Sequence, residues 1–193
     1  MTLTPRQQAR RRRIVFAALE LAAEGGYDAV QMRDVATRAD VALGTIYHYF
    51  SSKDHLLAAT LVQWTKDLEG ELENRPAEGE SVLERVLDLL TRTTTSMQRH
   101  QLLSHAVITG FTSPGAEVAA CQLEVHGVWS ASLATAFDDE FDEGRREVII
   151  QTLAHVWYSG LVGWTFGWRT LDRAIGELED AARLLLEERW IIG

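Results

Sequence analysis

A single cysteine, Cys121, leaves the chain no intramolecular disulfide and no cysteine-cluster metal site, and its apolar surroundings give no sign of a nucleophile. Proline occurs only three times, at Pro5, Pro76 and Pro114, each where helical periodicity is absent or broken. The prolines therefore mark boundaries and not kinks. The longest apolar region, Val156 to Trp168, is interrupted by Tyr158, Ser159 and Thr165, whereas a membrane span needs about 20 residues at about 1.5 Å each. No membrane partner is expected. Arg6 and Arg10 to Arg13 are not followed by a long apolar stretch, so no signal peptide is expected and the chain reads as cytoplasmic. P-loop, Gly-x-Gly-x-x-Gly and Gly-x-Ser-x-Gly motifs are all missing, which predicts neither an enzyme nor a cofactor. His100 and His105 fall roughly 140° apart around a helix, so they share no face and no metal site is expected.

What is present is an ordinary globular composition, 46% hydrophobic and 24% charged over 193 residues, with a net charge of -9. The charge is unevenly placed. Up to Lys53 there are eight Lys/Arg against five acids, while the remaining 140 residues hold 11 basic and 23 acidic side chains. A basic head on an acidic body suits a head that binds a polyanion and a body that stays off it. A merely solvated basic tail would look the same by charge alone.

Helical spacing dominates the pattern. Thr4 is placed to cap a helix with Pro5 at its first position, Ile14, Ala17, Ala18, Leu21 and Ala22 form its inner face, and Gly25-Gly26 is expected to end it. Two short helical pieces fit between Met32 and Tyr49, and a longer helix starts after Ser51 or Ser52. Beyond the acidic stretch Asn74 to Glu80, Val82, Val86, Leu89, Leu90, Thr93 and Met97 repeat at helical spacing. Further helices are predicted near Leu102 to Phe111, Ala116 to Asp138, Arg145 to Trp168 and Leu171 to Trp190. No period-two alternation survives, so almost no strand is expected. The predicted fold is all-α: a helix-turn-helix domain over 1–54, a connecting helix over 52–72, and a larger helical domain over 73–193.

Val30 to Leu57 carries the chemistry. Val35, Ala36 and Ala39 pack one short helix, Asp40-Val41 turn the chain, and Ile46 with Phe50 anchor a second short helix against the first, which is a helix-turn-helix. Its leading face, Ala42 to Thr45, is small. Gly44 lets the backbone approach a base edge closely, Thr45 and Tyr47 offer hydroxyls to phosphate oxygens, and Lys53 adds a cation. Arg33 can reach a phosphate or a guanine. Read singly, Tyr47 and Tyr49 could be core aromatics and Arg33 a solvated side chain; taken together the residues favour double-stranded DNA.

Gly25 to Tyr27, Val35-Ala36, Val41, Gly44 to Phe50, Ser52-Lys53 and Leu56-Leu57 resemble the DNA-binding domain of the TetR family. That resemblance implies a homodimer of about nine helices per subunit, with the last two in the dimer's four-helix bundle. It also implies that Arg33, Leu43, Gly44, Thr45, Tyr47, His48, Tyr49 and Lys53 face DNA. The chain is further similar to actinobacterial repressors of sterol catabolism, through Gln31 to Arg33, Arg38 to Ala42, Ser96 to Arg99, Leu102-Leu103, Val156-Trp157 and Gly163-Trp164. His48 departs from that subgroup, which carries an arginine there. The resemblance implies an operator released by a steroid acyl-coenzyme A thioester or a similar apolar effector. Apolar walls are expected from Met97, Ile108, Phe111, Trp129, Leu133 and Trp157, although only Arg92, Arg99 and a few other bases stand near to meet phosphates.

Val156 to Trp168 is apolar around most of a helix, which calls for core on one side and a subunit contact on the other. Gly160, Gly163 and Gly167 are expected to let a neighbouring helix approach closely. The rival reading is a helical protein-interaction module without DNA binding, and Thr45, Tyr47 and Lys53 argue against it.

Overall fold

The computed structural model describes residues 3–139 and 141–187, and within them nine helices and no strand occur. They are α1 (Pro5–Ala29), α2 (Met32–Arg38), α3 (Leu43–Tyr49), α4 (Lys53–Asn74), α5 (Val82–Arg99), α6 (Gln101–Phe111), α7 (Ala116–Ala134), α8 (Glu143–Thr165) and α9 (Leu171–Leu186). Two compact units result. One takes the chain up to Trp64 with His100–Val125, the other Thr65–Arg99 with the chain from His126 onward.

In the first unit α1 opens with a reciprocal capping box: Thr4 Oγ1 accepts the Gln7 N–H at 3.4 Å, and Gln7 Oε1 accepts the Thr4 N–H at 2.8 Å, with Pro5 behind them. Ile14, Val15, Ala17, Ala18, Leu21 and Ala22 are buried along one face. Gly25-Gly26 breaks this helix as its sequence suggests: both glycines leave helical geometry, Gly26 at φ 70° and ψ −159°, and a short helical piece follows to Ala29. Only glycine adopts that conformation without strain, and Gly26 is buried beside Leu102 of α6. In α4 every residue from Leu56 to Val62 is buried, and Thr60, the polar member, donates its hydroxyl to the Leu56 carbonyl at 2.9 Å. α6 crosses the start of α4 at Gly110, where a Cβ would stand 2.6 Å from Leu57 Cβ and 3.1 Å from the Asp54 carbonyl oxygen. Gln122 of α7 donates to the Phe111 carbonyl at 2.6 Å and so satisfies the end of α6.

The second unit buries Val86, Leu89, Leu90 and Met97 of α5 in its core, with Ile149, Ile150, Leu153 and Trp157 of α8 and Leu171, Ala174, Leu178 and Ala182 of α9. α7 stops at Ala134, short of the expected Asp138. The chain turns instead, and Arg85 takes the freed Ala136 carbonyl at 2.8 Å and the Asp138 carboxylate at 2.7 Å. α8 is capped by Asp142, which accepts the Arg145 N–H at 2.7 Å. It ends at Thr165 and not at Trp168, because Gly167 (φ 78°) closes a Schellman motif in which Trp168 N–H donates to Gly163 and Gly167 N–H to Trp164. The three α8 glycines therefore serve different ends. Gly160 meets Ala174 of α9, 2.9 Å from a built Cβ, as close helix approach requires; Gly163 is covered by the Trp168 ring, and Gly167 only terminates the helix. The last residues of the predicted Leu171 to Trp190 helix lie outside the described ones. Among the described residues no helix is long and apolar enough to cross a membrane.

Candidate nucleic-acid interface

The turn between α2 and α3 is built by backbone chemistry. Asp40 takes φ 51°, its N–H donates to the Thr37 carbonyl at 3.2 Å, and the Val41 N–H returns to Ala36 at 3.0 Å. This is a second Schellman closure, with a short polar residue tolerating the left-handed position. Val35, Ala36, Ala39, Ile46 and Phe50 are buried together, which fixes α3 on α2. Ile46 and Phe50 sit four residues apart, one helical turn, so both point inward and the rest of α3 is left outside.

Gly44, Tyr47 and His48 are accordingly exposed, and Leu43, Thr45 and Tyr49 half-buried. A Cβ built on Gly44 meets nothing within 4 Å, so its lack of a side chain is not required by packing within this chain. Tyr47 is 54% exposed, which removes the reading of it as a core aromatic. His48 and Tyr49 meet edge to face at 5.1 Å. Arg33 is exposed on the first turn of α2. Arg38, also in the basic head, grips Glu24 of α1 through two hydrogen bonds. Arg11 of α1 stacks on Phe50 at 5.2 Å from the ring centre.

Lys53 begins α4, half-buried, with its ammonium 3.7 Å from the centre of the Tyr27 ring. Burial lowers its pKa, and Asp28 and Asp54 oppose that shift. The Tyr27 hydroxyl donates to Asp54 Oδ1 at 2.6 Å, and this bond, aided by burial, pushes its pKa up to about 12. Ser52 Oγ accepts the His55 N–H at 3.0 Å, and Ser51 N–H donates to His55 Nδ1 at 3.2 Å, so the first turn of α4 is capped from both directions. Burial lowers the His55 pKa, with Glu117 raising and Arg11 lowering it. Tyr27, Asp54 and His55 were not legible as a cluster, although Tyr27 belongs to the Gly-Gly-Tyr motif.

Of the residues expected around an effector, Met97, Leu133 and Trp157 are buried and Trp129 half-buried in the second unit. Ile108 and Phe111 are buried in the first. Arg92, expected to be available to phosphates, is engaged instead. It holds Asp88 at 2.5 Å and the Arg75 and Pro76 carbonyls at 2.7 and 3.3 Å.

A family model for bacterial regulatory proteins of the tetR family matches residues 14–60, and one for the tetracyclin repressor-like C-terminal domain matches residues 79–185. The chain belongs to the TetR family. This TetR-family chain is 38% identical over 180 residues to the HTH-type transcriptional repressor KstR of Rhodococcus jostii, covering 93% of this chain and 84% of that protein. The KstR of Mycolicibacterium smegmatis is 34% identical over 97% of this chain and 89% of its own. Among solved structures, a TetR transcriptional regulator from Rhodococcus sp. RHA1 superposes with a TM-score of 0.82 at 29% identity, over 95% of this chain and 98% of that one. Thermus thermophilus FadR, solved with lauroyl-CoA, shares the fold at a TM-score of 0.70 and 22% identity, over 95% and 96%. The chain is thus a TetR-type regulator with a helix-turn-helix DNA-binding domain, and its resemblance to repressors runs over nearly its whole length.

Proposed function

We propose that this chain is a transcriptional repressor that binds a palindromic operator as a homodimer and lets go when a large apolar effector, a steroid or long acyl-CoA thioester, binds its second unit. The observation that carries the DNA half is the outward set on α3. Gly44, Tyr47 and His48 are exposed on a short helix whose other face is locked into the core, the arrangement a recognition helix needs to enter a major groove. Leu43, Gly44, Tyr49 and His48 face the DNA with Gly44 approaching a base edge, Thr45, Tyr47 and Lys53 hold phosphates, and Arg33 reaches a phosphate or a guanine.

The homodimer reading is supported by exposed apolar surface at α8: Val148 and Tyr158 on the helix and Phe166 just past its end are 62%, 42% and 57% exposed. Such surface suits a subunit contact. For the effector, Met97, Trp129, Leu133 and Trp157 supply apolar contact area. Arg92 is engaged by Asp88, which leaves the exposed Arg99 as the remaining one of the two arginines expected to meet phosphates. The effector must bind the DNA-free form better than the DNA-bound form, since affinity alone shifts no equilibrium.

The test is a mobility shift on duplexes from the intergenic DNA flanking the gene, first across a salt series and then against free sterols, fatty acids and their thioesters. Affinity falling steeply with salt, and release by an apolar compound, are expected. Affinity indifferent to salt sinks the DNA reading. Release by an unrelated polar metabolite alone sinks the effector reading.

A further inference from the structure

Lys53 has two carboxylates near enough to act on its charge, those of Asp28 and Asp54, yet it forms no ion pair with either among the described residues. Its ammonium rests on the face of Tyr27 at 3.7 Å. The Tyr27 ring is itself held at both ends. Its backbone belongs to the last turn of α1 beyond the Gly25-Gly26 kink, and its hydroxyl is fixed on Asp54 Oδ1 at 2.6 Å. The same bond occupies one oxygen of Asp54, the carboxylate next in sequence to Lys53, while Asp28 acts on the ammonium from a distance and more strongly than Asp54.

We infer that Tyr27 is a positioning residue for DNA binding: held by Asp54, its ring presents the Lys53 ammonium to a backbone phosphate. This rests on the reading that Lys53 meets phosphate. A free lysine stem loses many rotamers when it binds, and a stem already held over a ring loses fewer. An aromatic face attracts the cation without consuming its N–H donors as a carboxylate would, so they stay available to phosphate oxygens. Burial of one side of the ammonium also strengthens its pull on an anion on the open side.

The experiment measures binding of the full chain to intergenic duplex by fluorescence anisotropy over a salt series, for wild type, Lys53→Ala, Tyr27→Leu, Tyr27→Phe and the Tyr27→Leu/Lys53→Ala double variant. Lys53→Ala is expected to weaken binding and flatten the salt slope by about one unit. Tyr27→Leu should weaken binding about two- to fivefold, the ordering cost that a pre-held lysine stem is spared on binding. Tyr27→Phe keeps the ring but gives up the hold on Asp54, so it should recover only part of that loss. The double variant should be no weaker than Lys53→Ala alone, because Tyr27 acts through Lys53. An undiminished Tyr27→Leu effect in the Lys53→Ala background, or a Tyr27→Phe as damaging as Tyr27→Leu, overturns the proposal and leaves the DNA reading standing. A Lys53→Ala variant that binds like wild type overturns both this proposal and the assignment of Lys53 to phosphate. Should Tyr27→Leu fail to fold, the NMR signal of the Lys53 ε-methylene decides. An upfield ring-current shift retained in the DNA complex supports the proposal, and an unshifted signal in the complex overturns it.

Discussion

Arg38 at the end of α2 holds the carboxylate of Glu24 on α1 with both terminal guanidinium nitrogens, at 2.5 and 3.0 Å. The pair joins the two helices that flank the kinked end of α1, and it withdraws one of the eight cations of the basic head from other partners. The hydrogen bond from Arg38 keeps Glu24 ionised below its usual pKa of 4.5. Because the folded pKa is depressed, the contribution to stability is present above 4.5 and is lost as pH falls through the folded value. Glu24→Gln should therefore lower Tm slightly at neutral pH and make no difference in strong acid. Both partners are solvent-exposed, so the difference should shrink in high salt. Arg38→Ala should leave the salt slope of DNA binding unchanged. A slope lowered by about one unit would place Arg38 on a phosphate.

Gly44→Ala separates folding from DNA recognition. Nothing lies within 4 Å of the added Cβ, and alanine favours a helix by about 1 kcal/mol over glycine. Thermal unfolding should move up while operator affinity falls. Unchanged affinity would mean that the backbone at Gly44 does not approach the groove closely.

Gly110→Ala should do the reverse. The same gain in helix propensity is opposed by a Cβ 2.6 Å from Leu57 Cβ and 3.1 Å from the Asp54 carbonyl, and overpacking costs about 1–3 kcal/mol. A net loss of about 1 kcal/mol is expected in denaturant unfolding. Greater stability would show that α4 and α6 can part without cost.

Tyr158→Asp on α8 and Phe166→Asp just past its end test the proposed subunit contact. Both side chains are substantially exposed in the single chain, so a charge there should leave the helical circular dichroism unchanged and yield monomer in sedimentation. Operator affinity should fall with the dimer, since one half-site then binds alone. A folded dimer of the double variant would put the subunit contact elsewhere.

Much of this protein could be read from its residues because the signals are local. The Thr4 cap with Pro5 behind it, the inner face Ile14 to Ala22, and the inward Ile46 and Phe50 depend on neighbours within a turn or two, which cap residues and 3.6-residue periodicity report directly. Long-range contacts read less well. Gly25-Gly26 carries the composition of a helix end and does break the helix, but the burial of Gly26 beside Leu102 is set by a helix more than seventy residues away in the chain.

The sequence by itself determined the helical class and the helix-turn-helix, because each follows from spacing along short segments, whereas the exposure of Tyr47 was decided by the fold. Only the tertiary structure decided where the charged side chains go. Lys53 lies on Tyr27, Arg38 on Glu24, Arg92 on Asp88 and the Arg75 carbonyl, and Arg85 on Ala136 and Asp138. A long cation reaches several angstroms in many rotamers, so its partner is selected by which segments the folded chain brings near and by how much water burial removes, and neither is written in the periodicity of the segment that carries it.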